Sequence, residues 1–448
     1  MTDVYVVHCI DTEGPLEESL KATFERIKSI WNISIDSTKE NLELIRGKKI
    51  DLNGKEEEIA ELVSQKLLNY NNNWNKISKM FHQISSDNYR KKFIDSYGNG
   101  WIYSWFCVDH VGYNENPRNR DLGYHKIFDR YCNLLKKTKS DLDGIHYHYH
   151  PVPFSKSAHH CATSYFGHSD TLYQSLSRKI IDRCWFPSVF RPGFNVIRPD
   201  SHWFLEQYIP FDFSNQSYET NEALHPDLSD GRFGDWRRAT LNWQPYHPSY
   251  QDYQIKGNCN RLIARCLNIG TRHRLLKQKH VDHAFLEASQ DKPVVLSFTN
   301  HDYRDISNDI ENVHNMIIAA NKKFPKIKFA YSEARNAICK AMKIKTSPTI
   351  NLDIKLVNNI IRVKSSKNTF GPQPFLAIKT VNGDYYHDNF DFQIPFKEWT
   401  YIFDQQTIDL NKIESIGMGT CDNAGNVSVV VMDRPGTTNE KIRRNNFT

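Results

Sequence analysis

Apolar segments rich in β-branched and aromatic residues alternate with amphipathic segments along the first three quarters of the chain, and this alternation most limits its possible folds. Strands that alternate with helices are typical of α/β proteins with a parallel sheet. We expect the sheet to close into a barrel. The predicted strands cover residues 4–10, 101–108, 142–147, 185–190, 209–213 and 293–298.

Two regions depart from this alternation. Residues 15–97 have helical spacing broken by Asn and Gly, which predicts a helical insertion after the first strand. From residue 346, short strand-like segments separated by turn residues predict an all-β, sandwich-like domain. We therefore expect a barrel of residues 1–345 and a C-terminal β domain of residues 346–448. We expect the basic run 441–444 to be a solvated tail. The β-domain strands are predicted at 351–357, 360–364, 374–381, 385–394, 413–420 and 427–432.

Charge and cysteine usage exclude several classes of protein. The net charge is +6, with both signs interspersed, so there is no basic arm for nucleic acid. No apolar run approaches the roughly 20 residues of a membrane helix. The nine cysteines are widely spaced and form no Cys-x-x-Cys motif, which argues against a disulfide framework or a zinc finger. With no signal-peptide pattern at the N-terminus, these features predict a cytoplasmic protein.

Reactive side chains lie just after several of the predicted strands. In α/β barrels the carboxyl ends of the strands converge on one face, and that face carries the active site. The coincidence predicts one site built from residues that are far apart in the chain, and these residues are Asp11, Glu13, the histidines at 146, 148 and 150, Arg191 and His301.

The segment His146-Tyr-His-Tyr-His150 allows two interpretations. In a helical turn, His146 and His150 share a face and His148 points elsewhere. Two imidazoles and a carboxylate would then bind a divalent metal and leave positions for water and substrate. In a strand, all three histidines lie on one side and the tyrosines are buried on the other.

The carboxylates Asp11 and Glu13 also allow two interpretations. As a pair they can divide the work, one binding metal and the other taking a proton from water. Alternatively, the segment is a polar turn in which Asp11 caps the next helix.

Four segments in this order resemble the motifs of the polysaccharide deacetylases, the NodB-homology or family 4 carbohydrate esterase group. The resemblance implies a distorted (β/α) barrel and metal-dependent hydrolysis of an N-acyl group. The segments are Ile10-Asp11-Thr12-Glu13-Gly14-Pro15, His146 to Pro151, Arg191-Pro192-Gly193-Phe194-Asn195 and Asn300-His301-Asp302.

The resemblance also implies a role for each site residue. Glu13, His146 and His150 would bind a divalent metal, expected to be zinc. Asp11 would be the general base, paired with Arg191, and His301 the general acid.

Two departures from the family pattern bear on this assignment. Thr12 separates the two carboxylates, which leaves the roles of Asp11 and Glu13 exchangeable. Thr299 replaces the apolar residue expected near the acyl methyl, so a formyl or other acyl group is considered beside acetyl.

The leading hypothesis is a carbohydrate N-deacylase that acts on an amino sugar or a sugar-linked intermediate of surface-polysaccharide biosynthesis. One alternative is a metal-dependent amidohydrolase of a small non-sugar amide, and another is a catalytically inactive carbohydrate-binding barrel. The presence of both a base and an acid favours an enzyme. The sequence predicts no oligomeric state. Further candidate substrate contacts are Trp243, His247, Asp302 and Asp109.

Overall fold

A computed structural model describes residues 2–158, 169–219, 233–346 and 349–445 of the chain. Seven parallel strands form a closed ring, in which each strand pairs with the next and the last pairs with the first. The predicted α/β barrel is therefore confirmed. Its strands are β1 (Val4–Thr12), β2 (Tyr103–Val108), β3 (Gly144–Tyr149), β4 (Val189–Pro192), β5 (Phe211–Asn215), β6 (Leu262–Asn268) and β7 (Val294–His301).

An eighth strand, β8 (Phe329–Tyr331), lies outside this ring of seven and pairs only with β1. On one side, β1 pairs with β7 along residues 4–11. On the other side, its residues 4–6 pair with β8 and its residues 8–12 pair with β2. The short β8 thus occupies the place that β2 leaves open at the start of β1.

Side chains alternate between the barrel interior and the surrounding helices along each strand. In β1, Val7 and Cys9 belong to the interior cluster, whereas Val6 and Ile10 pack against the outer elements. The helices outside the insertion are α7 (Lys126–Thr138), α8 (Ser169–Arg183), α9 (Pro199–Tyr208), α10 (Gln278–Ser289), α11 (Ser307–Lys323) and α12 (Ala334–Ala341). Of these, α12 packs against the interior side chains in the first half of the strands, such as Val7 and Val295. The opposite half of the interior is left for polar groups.

The predicted helical insertion is present and has two parts. Its first four helices enclose a small core of their own, with Phe24, Ile27 and Ile59 fully or almost fully buried. The fifth packs on the barrel through Ile77 and Phe81, and the sixth through Tyr89. The helices are α1 (Leu20–Trp31), α2 (Lys39–Arg46), α3 (Glu56–Leu62), α4 (Gln65–Leu68), α5 (Trp74–Ser85) and α6 (Asp87–Arg90).

The C-terminal region forms two antiparallel sheets with a shared apolar core, to which Val363 of one sheet and Met418 of the other contribute. The four-stranded sheet contains β9 (Leu352–Val357), β10 (Ile360–Ser365), β13 (Asp391–Ile394) and β14 (Glu398–Ile402). The five-stranded sheet contains β11 (Phe375–Thr380), β12 (Tyr385–Asp388), β15 (Ile413–Cys421), β16 (Val427–Asp433) and β17 (Lys441–Arg444).

Two expectations about this region were wrong. The single strand predicted at 385–394 is two strands, one in each sheet. The predicted tail 441–444 is β17, which pairs with β16 and whose Arg443 donates from Nη2 to Asp433 Oδ1 at 2.8 Å. Among the described helices, none combines the length and the apolar composition that crossing a bilayer requires.

Candidate metal centre

The carboxyl ends of β1 and β7 bring the first site residues together. Asp11 is paired in register with His301, so the two strands end side by side. Because side chains alternate along a strand, Asp11 and Glu13 continue the inward face of Cys9. The inserted Thr12 points away and donates to the Phe106 carbonyl at 2.8 Å. The spacing Asp-x-Glu therefore directs both carboxylates into the barrel.

Three side chains form a group that could hold a metal ion: Glu13, His148 and His150. The Nε2 atoms of the two histidines are 3.0 Å apart, and Glu13 Oε1 is 3.4 Å from His150 Nε2 and 4.0 Å from His148 Nε2. Two imidazole nitrogens on one tetrahedral zinc ion are separated by about 3.3 Å, since each Zn–N bond is about 2.0–2.1 Å long. The donor set and its spacing therefore fit a small divalent ion.

The hydrogen bond at Nδ1 of His148 directs the lone pair of its Nε2 toward the metal group. Its Nδ1 lies 2.9 Å from the Arg191 carbonyl oxygen, which can only accept, so Nδ1 carries the proton and Nε2 the lone pair. Burial lowers the pKa of His148 to about 4. The imidazole is therefore neutral at pH 7, the state that metal binding requires.

The prediction that His148 points elsewhere was wrong, and His146 lies outside the group. His146 Nε2 is 2.8 Å from Glu333 Oε1, at the start of α12, and its ring packs on Phe106. The cause is that β3 is extended through Tyr149. Residues four apart are separated by about 13 Å in a strand, but by only about 6 Å in a helix.

The strand interpretation of this segment is confirmed. The tyrosines between the histidines, Tyr147 and Tyr149, are buried in the outer core.

Asp11 forms the predicted pair with Arg191. Arg191 Nε and Nη2 donate to the two Asp11 carboxylate oxygens at 2.8 and 3.0 Å, and Nη1 donates to the Phe213 carbonyl at 2.7 Å. Burial raises the pKa of Asp11, but Arg191 and His148 outweigh it and lower the pKa to about 2. The alternative in which Asp11 caps the next helix is wrong, because Ser19 is the N-cap of α1.

His301 faces the same group of side chains. Its Nε2 is 3.8 Å from Glu13 Oε1 and 3.9 Å from Asp11 Oδ2, and its ring stacks on Tyr303 with centroids 4.7 Å apart. Burial lowers the pKa of His301 to about 4, against the raising effect of the two carboxylates. Its Nδ1 is buried and has no hydrogen-bond partner among the described residues.

Two residues fix Glu13: sequence reasoning missed the first and gave the second another role. Arg120 Nη2 donates to Glu13 Oε2 at 2.6 Å. Burial acts to raise the pKa of Glu13, but Arg120 and His150 lower it well below the usual value. Arg120 lies in a loop with no motif, so local spacing gave no signal for it.

The second such residue is Asp302, which was expected to contact substrate. Its carboxylate instead accepts from the Glu13 and Gly14 backbone N–H groups at 2.8 and 2.9 Å, and from the Tyr131 hydroxyl at 2.8 Å. Asp302 therefore positions the end of β1.

The other proposed substrate contacts lie away from the cavity above the site. Trp243 is fully buried and donates from Nε1 to the His280 carbonyl. Asp109 accepts from the buried Lys179 ammonium at 2.8 Å. His247 is exposed. Because none of these three lines the cavity, the aromatic segment around Trp243 is better explained as packing.

The cavity has a volume of about 200 Å³. Its floor is formed by Asp11, Glu13, His148, His150 and His301, and the helical insertion supplies one wall through Leu62, Leu67 and Tyr70.

Comparisons with protein-family models, with curated proteins and with solved structures each returned no match. The class of protein is defined by its own fold and site. It is a closed parallel α/β barrel with a candidate two-histidine, one-carboxylate metal centre at the carboxyl ends of its strands.

Proposed function

We propose that this protein is a metal-dependent hydrolase that removes an N-acyl group from an amino sugar or a sugar-linked intermediate. The observation that carries the proposal is the convergence of three metal donors with a separate carboxylate–arginine pair and a histidine, all lining one cavity. A metal site alone would fit a structural ion. The additional Asp11 and His301 supply the base and acid that hydrolysis needs.

Glu13, His148 and His150 would hold the metal. Neutral imidazoles and a carboxylate are typical ligands of catalytic zinc, which keeps one position open for water. When bound, the ion would polarise the acyl carbonyl and lower the pKa of its water.

Asp11 fits the role of general base better than that of ligand. Both of its oxygens accept from Arg191, whereas Glu13 Oε1 faces the imidazoles of the metal group. The guanidinium holds Asp11 ionised and fixes its orientation, so the carboxylate can take a proton from an attacking water.

His301 is the group best placed to protonate the leaving nitrogen. Two carboxylates lie within 4 Å of its Nε2 and stabilise the imidazolium once it has taken up a proton. The stack on Tyr303 fixes the plane of the ring.

The choice of an amino-sugar amide rests on the resemblance of the four strand-end motifs to those of polysaccharide deacetylases. On the same ground we propose a NodB-type barrel and a role in surface-glycan biosynthesis. The two antiparallel sheets with one apolar core support a sandwich as the C-terminal domain.

The test is to measure metal content and amide hydrolysis on a panel of N-acetyl and N-formyl amino sugars. We expect about one zinc per chain, and His148→Ala should lose both metal and activity. Asp11→Asn should keep the metal and lose about 10²- to 10⁴-fold in turnover, the usual effect of removing a general base.

His146→Ala is the matched control for the ligand assignment, because His146 lies on the same face of β3 but pairs with Glu333. It should keep the metal. A wild-type protein without metal, or full activity in Asp11→Asn, would refute the proposed function.

A further inference from the structure

The positive groups that line the cavity are arginines, and no lysine is found among its described lining residues. Arginine binds carboxylates and phosphates through two parallel N–H donors, whereas lysine acts as a point charge. The lining contains six arginines and three carboxylates, so the cavity has an excess of positive charge before any metal is added. The arginines are Arg26, Arg118, Arg120, Arg191, Arg272 and Arg304.

Some of this charge is balanced by nearby carboxylates. Arg191 pairs with Asp11 in the proposed catalytic group. Arg26 and Arg118 share one buried carboxylate, Glu18, at 2.8 and 2.9 Å. Two guanidiniums on one carboxylate leave a net positive charge at this wall.

Arg304 forms no ion pair with any described residue. Its Nε and Nη2 both donate to the Leu67 carbonyl, at 3.1 and 2.9 Å. Its guanidinium also lies over the rings of Tyr70 and Tyr303, at 5.2 and 4.9 Å from the centroids. These neutral partners fix the cation without neutralising it, and they leave Nη1 for a ligand.

Arg120 also has an unused donor. Its Nη2 binds Glu13, but its Nη1 is buried and has no hydrogen-bond partner among the described residues. A buried N–H of a charged group without a partner is costly. Arg120 lines the cavity, and an anion or a water bound there would satisfy this donor.

The Tyr303 ring brings both arginines close to the proposed acid. Arg120 lies 4.7 Å and Arg304 lies 4.9 Å from the ring centroid, and the His301 imidazole stacks on the same ring. An anionic group bound to these arginines would therefore lie close to His301, the proposed acid.

We propose that the substrate carries an anionic group, a carboxylate or a phosphate, that binds Arg120 and Arg304. This inference rests on the proposed function in placing that group beside an N-acyl amino sugar. Stacking on Tyr303 pre-organises the two guanidiniums, which lowers the entropic cost of binding.

The test is calorimetric titration of the metal-loaded protein with glucose 6-phosphate, glucuronate and glucose. None of these probes contains an amide, so binding is measured without turnover. We expect at least one anion to bind about 10-fold or more tightly than glucose, and the stronger of the two identifies the group. Arg304→Gln should weaken that binding about 10- to 100-fold, as loss of a charge-assisted hydrogen bond predicts.

Arg304→Gln is a mild change, because the Gln amide can still donate to the Leu67 carbonyl. The matched control is Arg238→Gln, which removes an exposed arginine paired with Asp252 outside the cavity and should leave affinity unchanged. Equal affinity for glucose and both anions would overturn the proposal. So would an anion affinity that survives Arg304→Gln but is lost in His148→Ala, since the metal would then be the binding group.

The two proposals can fail independently. Anion binding that depends on Arg304, without hydrolysis of any N-acyl sugar, would refute the hydrolase and keep the anion site. Hydrolysis with equal KM for neutral and anionic substrates would refute the anion site and keep the hydrolase.

Discussion

Gly193 shows how closely the candidate metal centre is packed at the scale of single residues. A Cβ atom built on Gly193 would lie 2.5 Å from both Cγ and Cδ2 of His150. We predict that Gly193→Ala displaces the His150 imidazole and weakens metal binding about 10- to 100-fold, the usual effect of disturbing the support of a ligand. Competition titration against a chromogenic chelator measures it.

Gly144→Ala is the matched control, because it disturbs His146, the histidine that lies outside the metal group. Its Cβ atom would lie 2.5 Å from His146 Nε2 and from Glu333 Cγ. The substitution has the same size but acts on the His146–Glu333 pair, so we expect lower stability with metal affinity near that of the wild type. Normal affinity in Gly193→Ala with loss in Gly144→Ala would make His146 a ligand after all.

Asp302 supports Glu13 through the backbone, and Asp302→Asn tests that role. An amide retains one acceptor oxygen and places an NH₂ group against an N–H donor, so at least one hydrogen bond at the end of β1 is lost. We predict weaker metal binding and a free energy of unfolding lower by about 1–3 kcal/mol. Metal titration and urea denaturation measure the two effects.

Tyr131→Phe removes only the hydroxyl bond to Asp302 and serves as the control. It should reduce stability with little change in metal affinity. If Asp302→Asn binds metal as the wild type does, Asp302 does not position the end of β1.

At the scale of elements, Glu18 joins α1 of the insertion to the loop that carries Arg118. Burial raises the pKa of Glu18, but Arg26 and Arg118 outweigh it and lower the pKa to about 2. A carboxylate with a depressed folded pKa adds stability above its unfolded pKa, and this stability is lost as the pH falls through the folded pKa.

We therefore predict that Glu18→Gln lowers the free energy of unfolding at pH 7. The difference from the wild type should shrink as the pH falls from about 4.5 toward 2. Urea denaturation across this range measures it.

Glu25→Gln, on α1, is the control because the partner of Glu25, Lys21, is 80% exposed. An exposed pair of this kind contributes about 0.3–0.5 kcal/mol. A Glu18→Gln effect that does not change with pH would show that the ion pairs do not cause it.

At the scale of the whole molecule, the barrel and the C-terminal sheets meet through glycines of β15. A Cβ atom on Gly419 would lie 2.5 Å from Phe186 Cδ2, and one on Gly417 would lie 2.6 Å from Ile180 Cγ2. The backbone of β15 thus packs directly on α8 and the segment before β4. Such close packing should couple the folding of the two parts.

We predict that Gly419→Ala destabilises the entire chain by about 1–3 kcal/mol, the usual cost of overpacking. The loss of tryptophan fluorescence and the release of metal should occur in one transition. Two separate transitions, with metal release unaffected by the substitution, would show that the parts fold independently.

The alternation of strands and helices determined the barrel, because each segment buries a face set by its own spacing. The same spacing directed Asp11 and Glu13 inward and placed His301 at the end of β7. Elements with weak local patterns were missed. The missed strands include β6, β8 and β14. The strands β8 and β14 are short, with three and five residues, and β6 contains a buried arginine, Arg265, that interrupts its apolar pattern.

Tertiary structure decided which of the strand-end residues meet. The sequence contained three candidate histidines, but only the extended course of β3 and the position of α12 assign His146 to Glu333 and leave His148 and His150 beside Glu13. Arg120 joins the site from a loop with no motif, and the backbone N–H groups of Glu13 and Gly14 make Asp302, of the last motif, a support for the end of β1. Local spacing fixes the face on which a side chain lies, whereas strand register and loop packing, which depend on the whole chain, fix its level and its partners.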